Sequence, residues 1–235
     1  MKIIDPEYQS SAAATSENSE YPASNLMDNR PNKKWQSLGT SAVVTMAVGA
    51  GVNNAIGVYG ICADTVVVTV KNAAETVIIA TESFTISRNR LWFEFAEQIA
   101  AIHILLAFSR SAGVCSAGVI KVGDAQSIPN PEYGIDRSYT DASILHEMAS
   151  GGLRVHQRSR YRNLNPSFVM TAAEAQDLDD IYFTAGADPL AMLILAGDNT
   201  WRQEWTGLFQ MPVSPKTVFK FNDQHLVTLQ LREAV

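Results

Sequence analysis

Apolar and polar residues alternate with a period of two over much of this chain. Short runs rich in β-branched residues follow one another at 43–48, 56–63, 65–70 and 76–81, separated by Gly, Asn and Asp, and further apolar runs follow at 91–95, 101–108 and 119–122. Successive side chains of a strand point to opposite faces, so closely spaced runs of this kind predict an antiparallel sandwich or barrel. In 101–108, Ile102, Ile104, Leu106 and Phe108 share one face while His103 and Leu105 share the other. That predicts a strand covered on both sides.

The flanking segments read differently. Residues 9–24 are rich in Ser, Ala, Thr, Asn and Glu, which predicts a solvated loop. Pro22 and Pro31 preclude a long helix in 21–35, which reads as a compact loop with two apolar anchors, Leu26 and Trp35. Residues 123–142 hold Gly123, Pro129, Pro131, Gly134 and several Asp, the composition of a connection. The division predicted is 1–125 and 126–235.

In the second half, strands are predicted at 143–148, 153–162, 190–196, 202–209 and 225–232. One helix is predicted at 171–185. Thr171 and Glu174 have the spacing of a capping box, in which each side chain bonds the other residue's backbone N–H. Leu178, Ile181, Tyr182 and Ala185 make an apolar stripe, Gly186 can end the helix, and Pro189 follows. Asp177, Asp179 and Asp180 fall mainly on the solvated side. The fold class is therefore mainly β, a sandwich or barrel followed by a second set of strands with one flanking helix.

Composition narrows the function. With 46% apolar and 18% charged residues the chain can bury a full core, and a net charge of -6 disfavours general nucleic-acid binding. The two cysteines, Cys62 and Cys115, have no zinc spacing and are too few for a disulfide framework. They read as free and buried, with a single bridge left open. The start turns polar too early for an apolar export segment. The most membrane-like stretch, 91–108, contains Glu94, Glu97, Gln98 and His103. Synthesis in the cytoplasm with no membrane step is the expectation.

The search for chemistry finds little. Gly49 with Gly51, and Gly151 with Gly152, read as turns rather than phosphate loops. No Gly-x-Ser-x-Gly elbow is present, and His103, His146, His156 and His225 make no metal-binding pair by spacing. No catalytic residue, cofactor or metal is predicted.

Two constellations stand apart. Arg154, His156, Arg158, Arg160 and Arg162 recur at period two, so one extended strand would carry all five on one face. The readings are a solvated face, an electrostatic contact surface that takes carboxylates in two-point fashion, or a nucleic-acid groove, the last weakened by the lack of interleaved aromatics. Trp201 and Trp205 would share a side of a strand, either as core or as an aromatic patch for a protein or sugar.

The run Pro22-Ala-Ser-Asn-Leu-Met-Asp28, followed by Lys34-Trp35-Gln-Ser37, resembles the start of discoidin-like, galactose-binding-type jelly-roll domains, and more closely the form found in bacteriophage virion proteins. The runs 102–108 and 117–124 are similar to the closing strands of such domains. Residues 126–235 resemble the tail-tube-like sandwich of phage distal tail proteins, through the arginine run, the helix and a last strand ending in Arg232-Glu233. The resemblance implies a non-enzymatic structural protein of a phage tail tip or baseplate. Such a protein would form a ring with itself and dock tail tube, hub or fibres in the virion. It leaves Asp28 as the one candidate for a cation near the first loop. The alternative is a carbohydrate-binding module that recognises a host surface glycan, and a tail glycan hydrolase is a third class.

Overall fold

The computed structural model describes all residues except 5–8, 50–52, 100–101, 133–134, 148–151, 159, 187, 196–201, 221–222 and 235. In chain order the elements are β1 (Lys2–Ile4), β2 (Gln9–Ala14), a 3-10 turn (Ala23–Met27), β3 (Trp35–Gln36), β4 (Ser41–Val48), β5 (Asn53–Tyr59), β6 (Thr65–Asn72), β7 (Ile78–Thr85), β8 (Arg90–Ile99), β9 (Ile102–Ser109), β10 (Ser116–Ala117), β11 (Val119–Gly123) and β12 (Ala125–Ser127). There follow β13 (Asp136–Asp141), β14 (Ile144–Glu147), β15 (Leu153–His156), β16 (Arg160–Asn165), β17 (Ser167–Thr171) and α1 (Ala172–Ala185). The chain ends with β18 (Leu190–Leu193), α2 (Arg202–Trp205), β19 (Thr206–Gln210), β20 (Lys216–Phe219), β21 (Gln224–Thr228) and β22 (Leu231–Glu233).

Two compact units form, Met1–Asn130 with Leu190–Leu208, and Pro131–Pro189 with Phe209–Val235. The first is a β-sandwich. A five-stranded antiparallel sheet, β2-β4-β9-β6-β7, faces a three-stranded one, β11-β5-β8. Val44, Met46, Val66, Val68, Ile104 and Leu106 from the larger sheet and Ile56, Val58, Leu91, Phe93 and Ile120 from the smaller share one buried core. The alternation legible in the sequence is the alternation of burial along β4 and β9. The second face of β9 is only half-buried, because its flanking strands β4 and β6 shade it within the sheet. The strands covered on both sides are instead β5 and β11. Over their outer face lie β1, β12 and β18, with β1 paired to β12 on one side and to β18 on the other. The segment 190–208, placed by its sequence with the second half, therefore packs in the first unit. Its strand Leu190–Leu193 is wholly buried, and an apolar strand of that kind is stable only when both its ladder and its faces are covered.

In the second unit β16 pairs with β13 and β22, while β17 pairs with β21, which in turn pairs β20. The long strand predicted at 225–232 is thus two strands in two sheets. Pro166 has no backbone N–H for the ladder, and the chain turns from one sheet to the other at that point. Opposite it Leu229 donates its N–H to the Pro166 carbonyl at 3.0 Å, so both strands turn together. Helix α1 begins as expected. Thr171 Oγ1 accepts from the Glu174 N–H, Glu174 Oε2 accepts from the Thr171 N–H at 2.8 Å, and Gly186 closes the helix at φ 57°. Ala175 and Leu178 are its buried residues.

Candidate functional site

The loop anchors come first. Leu26 and Trp35 are buried, and the Trp35 ring lies 5.1 Å from that of Phe108, so the 21–35 loop is pinned onto the sandwich core. The loop also passes close over β-sheet backbone. A Cβ on Gly118 would lie 2.6 Å from the Pro31 carbonyl oxygen, so only glycine fits there. Asp28 accepts two bonds from Arg30, at 2.8 and 2.7 Å, and pairs with Lys33 at 2.8 Å. These bonds hold its carboxyl far below the usual range. A carboxylate committed to two cations is a poor cation ligand, and among the described residues no three His, Cys, Asp or Glu side chains gather into a metal-binding group.

One end of the sandwich is built from loops that lock one another. Ile86 donates to the Asp64 carbonyl at 2.9 Å, Asp64 donates to Ser109 at 2.9 Å, and Ile61 donates to Asn89 at 2.8 Å. Cys62 donates to Ser116 at 2.8 Å, and Arg110 donates to Thr40 at 2.9 Å. Ser37 is buried beneath them, and its hydroxyl accepts the Cys115 N–H at 2.9 Å. Burial pushes the Cys115 thiol up, and both cysteines are free.

This frame presents Asp64 beside Arg110. The Ser111 N–H holds Asp64 Oδ2 at 2.6 Å, and bonding to Ser111, with the Arg110 charge adding to it, lowers the Asp64 carboxyl below its ordinary value. Arg110 is turned by its own loop, donating to the Val114 carbonyl at 3.0 Å. Gly113 sits at φ +83°, and a Cβ there would press to 3.2 Å from the guanidinium. Leu38, 70% exposed, lies two residues before Thr40. Neither Asp64 nor Arg110 was singled out from the sequence. Forty-seven residues separate Asp64 from its bonded neighbour Ser111, and no local pattern carries that pairing.

The arginine run does not form one face. Arg154 and His156 lie on β15, Arg158 lies outside any strand, and Arg160 and Arg162 begin β16. Arg160 is exposed and pairs Asp141 at 2.9 Å, and Asp141 is pushed down to about 2 by its bonds to Ser143 and Arg160. Arg162 points inward. It is 4% exposed, pairs Glu233 at 3.2 Å and stacks over the Phe209 ring at 5.0 Å. The run splits because the strand breaks at 157–158, and because Arg162, unlike Arg160 on the same strand, lies beside the residues that pair β22 and is covered by Phe209 and Glu233. Trp205 lies on the short helix α2 rather than on a strand, and half-buried, while Trp201 lies outside the described residues.

What remains exposed is the hairpin of β14 and β15, a sheet of two strands by itself. Opposite residues share a side, so Leu145, Val155 and Leu153 stand on one face with Glu147. His146, His156 and Arg154 stand on the other with Ile144, and the two imidazole rings meet edge to face at 5.4 Å. The root of the hairpin is held by Asp141, which accepts from the Ser143 N–H at 2.9 Å, and by Ser143, whose hydroxyl accepts from the Arg158 N–H at 3.0 Å.

Fold and surfaces together define a mainly β protein of two units, the first a five-on-three sandwich. No protein-family model matches the chain, and no curated protein matches it in sequence. Solved structures similar to part of it include the Clostridium perfringens protein CpGH89CBM32-5 in complex with GalNAc-β-1,3-galactose, at 18% identity and TM-score 0.41 over 48% of this chain and 94% of that one. Another is chitosan-binding module 1 of a chitosanase/glucanase from Paenibacillus sp. IK-5, at 15% identity and TM-score 0.41 over 48% and 94%. The lectin binding domain of Lectinolysin complexed with Lewis b is similar at 13% identity and TM-score 0.41 over 50% and 92%.

Proposed function

We propose that this chain is a non-catalytic recognition protein whose first unit takes a surface glycan at the loop end of its sandwich. The observation that carries the reading is the loop frame that fixes Asp64 through the Ser111 N–H and turns the neighbouring Arg110 through the Val114 carbonyl. A sugar offers neighbouring hydroxyls that both donate and accept. A carboxylate that only accepts, beside a planar guanidinium that only donates, matches two such groups at once. The loops that hold the pair are already bonded to one another, so little ordering cost falls on binding. Leu38 supplies apolar surface for the C–H side of a ring.

The test is a glycan array followed by calorimetry on the full chain. The wild type is expected to retain a defined glycan class, with Arg110→Ala and Asp64→Asn each weakening it by about tenfold or more, equivalent to ~1.4 kcal/mol. A wild type that retains no glycan, or variants that bind as it does, overturns the reading.

A second reading is favoured by one separate feature, the uncovered hairpin. The chain would then be a structural component of a phage tail tip or baseplate, present in the virion and assembled with itself in a ring. An exposed two-stranded ribbon with an apolar face is the expected form of an element awaiting a protein partner. Its test is the mass of the native protein in solution.

A further inference from the structure

The hairpin presents its apolar side chains to water. Leu145 and Leu153 are each 63% exposed and Val155 is 57% exposed, although the three lie together on one face. Two strands alone are marginally stable in water, and among the described residues no third strand pairs with either outer edge of this ribbon. A cover is required, and charge indicates what it is. Arg154 and Arg158 carry guanidinium groups with no ion-pair partner among the described residues, unlike Arg160 and Arg162, which are paired. Arg154 stands on the opposite face and Glu147 shares the apolar one, but a ribbon two strands wide lets the long Arg154 side chain reach round the edge, and the two guanidinium groups outnumber the one carboxylate.

A complementary surface lies on helix α1 of the same unit. Its solvent side carries Asp177, Asp180 and Phe183, each three residues after the last, and Phe183 is 76% exposed. Residues 172–189 contain Glu174, Asp177, Asp179, Asp180 and Asp188 and no Lys, Arg or His. The last turn has no basic residue to balance the negative end of the helix dipole. An exposed aromatic ring among unbalanced carboxylates is a place for a guanidinium, which can stack on the ring and bond the carboxylates.

We propose that the hairpin of one copy docks on helix α1 of a second copy of this chain. In that contact Leu145, Leu153 and Val155 pack against Phe183, and Arg154 and Arg158 meet Asp177 and Asp180. The two surfaces differ, so the contact is head-to-tail, and repeating it gives a closed ring or an open filament. A hairpin of two four-residue strands set against one helix face is expected to bury less than the roughly 800 Å² per partner of a standard stable interface. Closure into a ring, where each copy is held twice, stabilises what a single contact does not. The inference rests on the assembly reading and is independent of any ligand at the loop end.

The experiment is light scattering on the full chain and on two charge-reversed variants, each checked for folding by circular dichroism. The wild type is expected to form an oligomer well above the 25.6 kDa monomer. Arg154→Glu with Arg158→Glu, and separately Asp177→Lys with Asp180→Lys, are each expected to run as monomers. Mixing the two variants restores assembly, because an acidic hairpin then meets a basic helix and the reverse. A wild type that assembles while both variants assemble equally well sinks this contact and leaves the assembly reading standing. A wild type that stays monomeric at every concentration sinks both. A Leu153→Cys, Phe183→Cys protein gives an independent readout. Disulfide-linked multimers on oxidation support the contact, and their absence in an assembled protein overturns it.

Discussion

The Arg162–Glu233 pair offers a sharp test of the second unit. The groups lie 3.2 Å apart, and their side chains are 4% and 14% exposed. At an effective dielectric constant of about 20 the direct attraction is ~5 kcal/mol, most of it offset by the desolvation of both ions. Breaking the pair should therefore cost far more than the pair itself contributes. Glu233→Gln takes the Glu233 charge away from a guanidinium buried against the Phe209 ring, which should lower stability by about 3 kcal/mol. Replacing both, Arg162→Met with Glu233→Leu, removes the buried charges together and should return stability to within about 1 kcal/mol of wild type. The assay is urea unfolding with two signals. The described tryptophans, Trp35, Trp92 and Trp205, lie in the first unit and the long helix α1 lies in the second, so fluorescence follows the first unit and dichroism at the helical minimum follows mainly the second. With a slope of about 1–3 kcal/mol per molar, the dichroism midpoint of Glu233→Gln should fall by about 1 M or more while the fluorescence midpoint stays. An unchanged dichroism midpoint, or a double variant as unstable as the single one, would refute the reasoning. Arg160→Ala, which removes an exposed ion pair, should shift neither midpoint measurably.

Other outcomes follow from local geometry. Thr171→Ala removes the capping box and should destabilise the second unit by about 1 kcal/mol, read from the dichroism midpoint, with Thr171→Ser close to wild type. Gly118→Ala drives a Cβ to 2.6 Å from Pro31 and should lower the fluorescence midpoint, with faster proteolysis in the 28–34 loop. Asp141 has a folded-state carboxyl pushed down from 3.8 to about 2, so its hold on the hairpin root is complete above pH 4 and is lost as pH falls through about 2. Asp141→Asn should make proteolysis of the hairpin root equally fast on either side of that window. Tyr59 is buried and its phenol is pushed up, so its contribution is full below pH 10 and is lost at higher pH, where unfolded chains ionise. Alkaline ultraviolet titration should count it as the last tyrosine to ionise.

Much of the architecture was legible along the chain because it depends on neighbours in sequence. Period-two alternation marked β4, β6 and β9, where one face is buried. The capping box, apolar stripe and terminal glycine marked α1, since each is a contact between residues three or four apart. Leu26 and Trp35 were recognisable as anchors because large apolar residues in a polar, proline-bounded loop have no other place to go. Three things were settled only by the tertiary structure. Strand breaks at 157–158 and at 229–230 separated residues that a single uninterrupted strand would have aligned, and Phe209 and Glu233 cover Arg162 while Arg154 stayed in solvent. The segment Leu190–Leu193 found its partner in β1, nearly the whole chain away, because a buried ladder needs both edges paired. The Asp64–Ser111 bond, which brings Asp64 to the loop that carries Arg110, arose where separate loops converge. Local sequence sets which way a side chain alternates and where a helix starts. Which charges are buried, paired or left facing solvent depends on contacts across many residues, and those contacts exist only once the chain has folded.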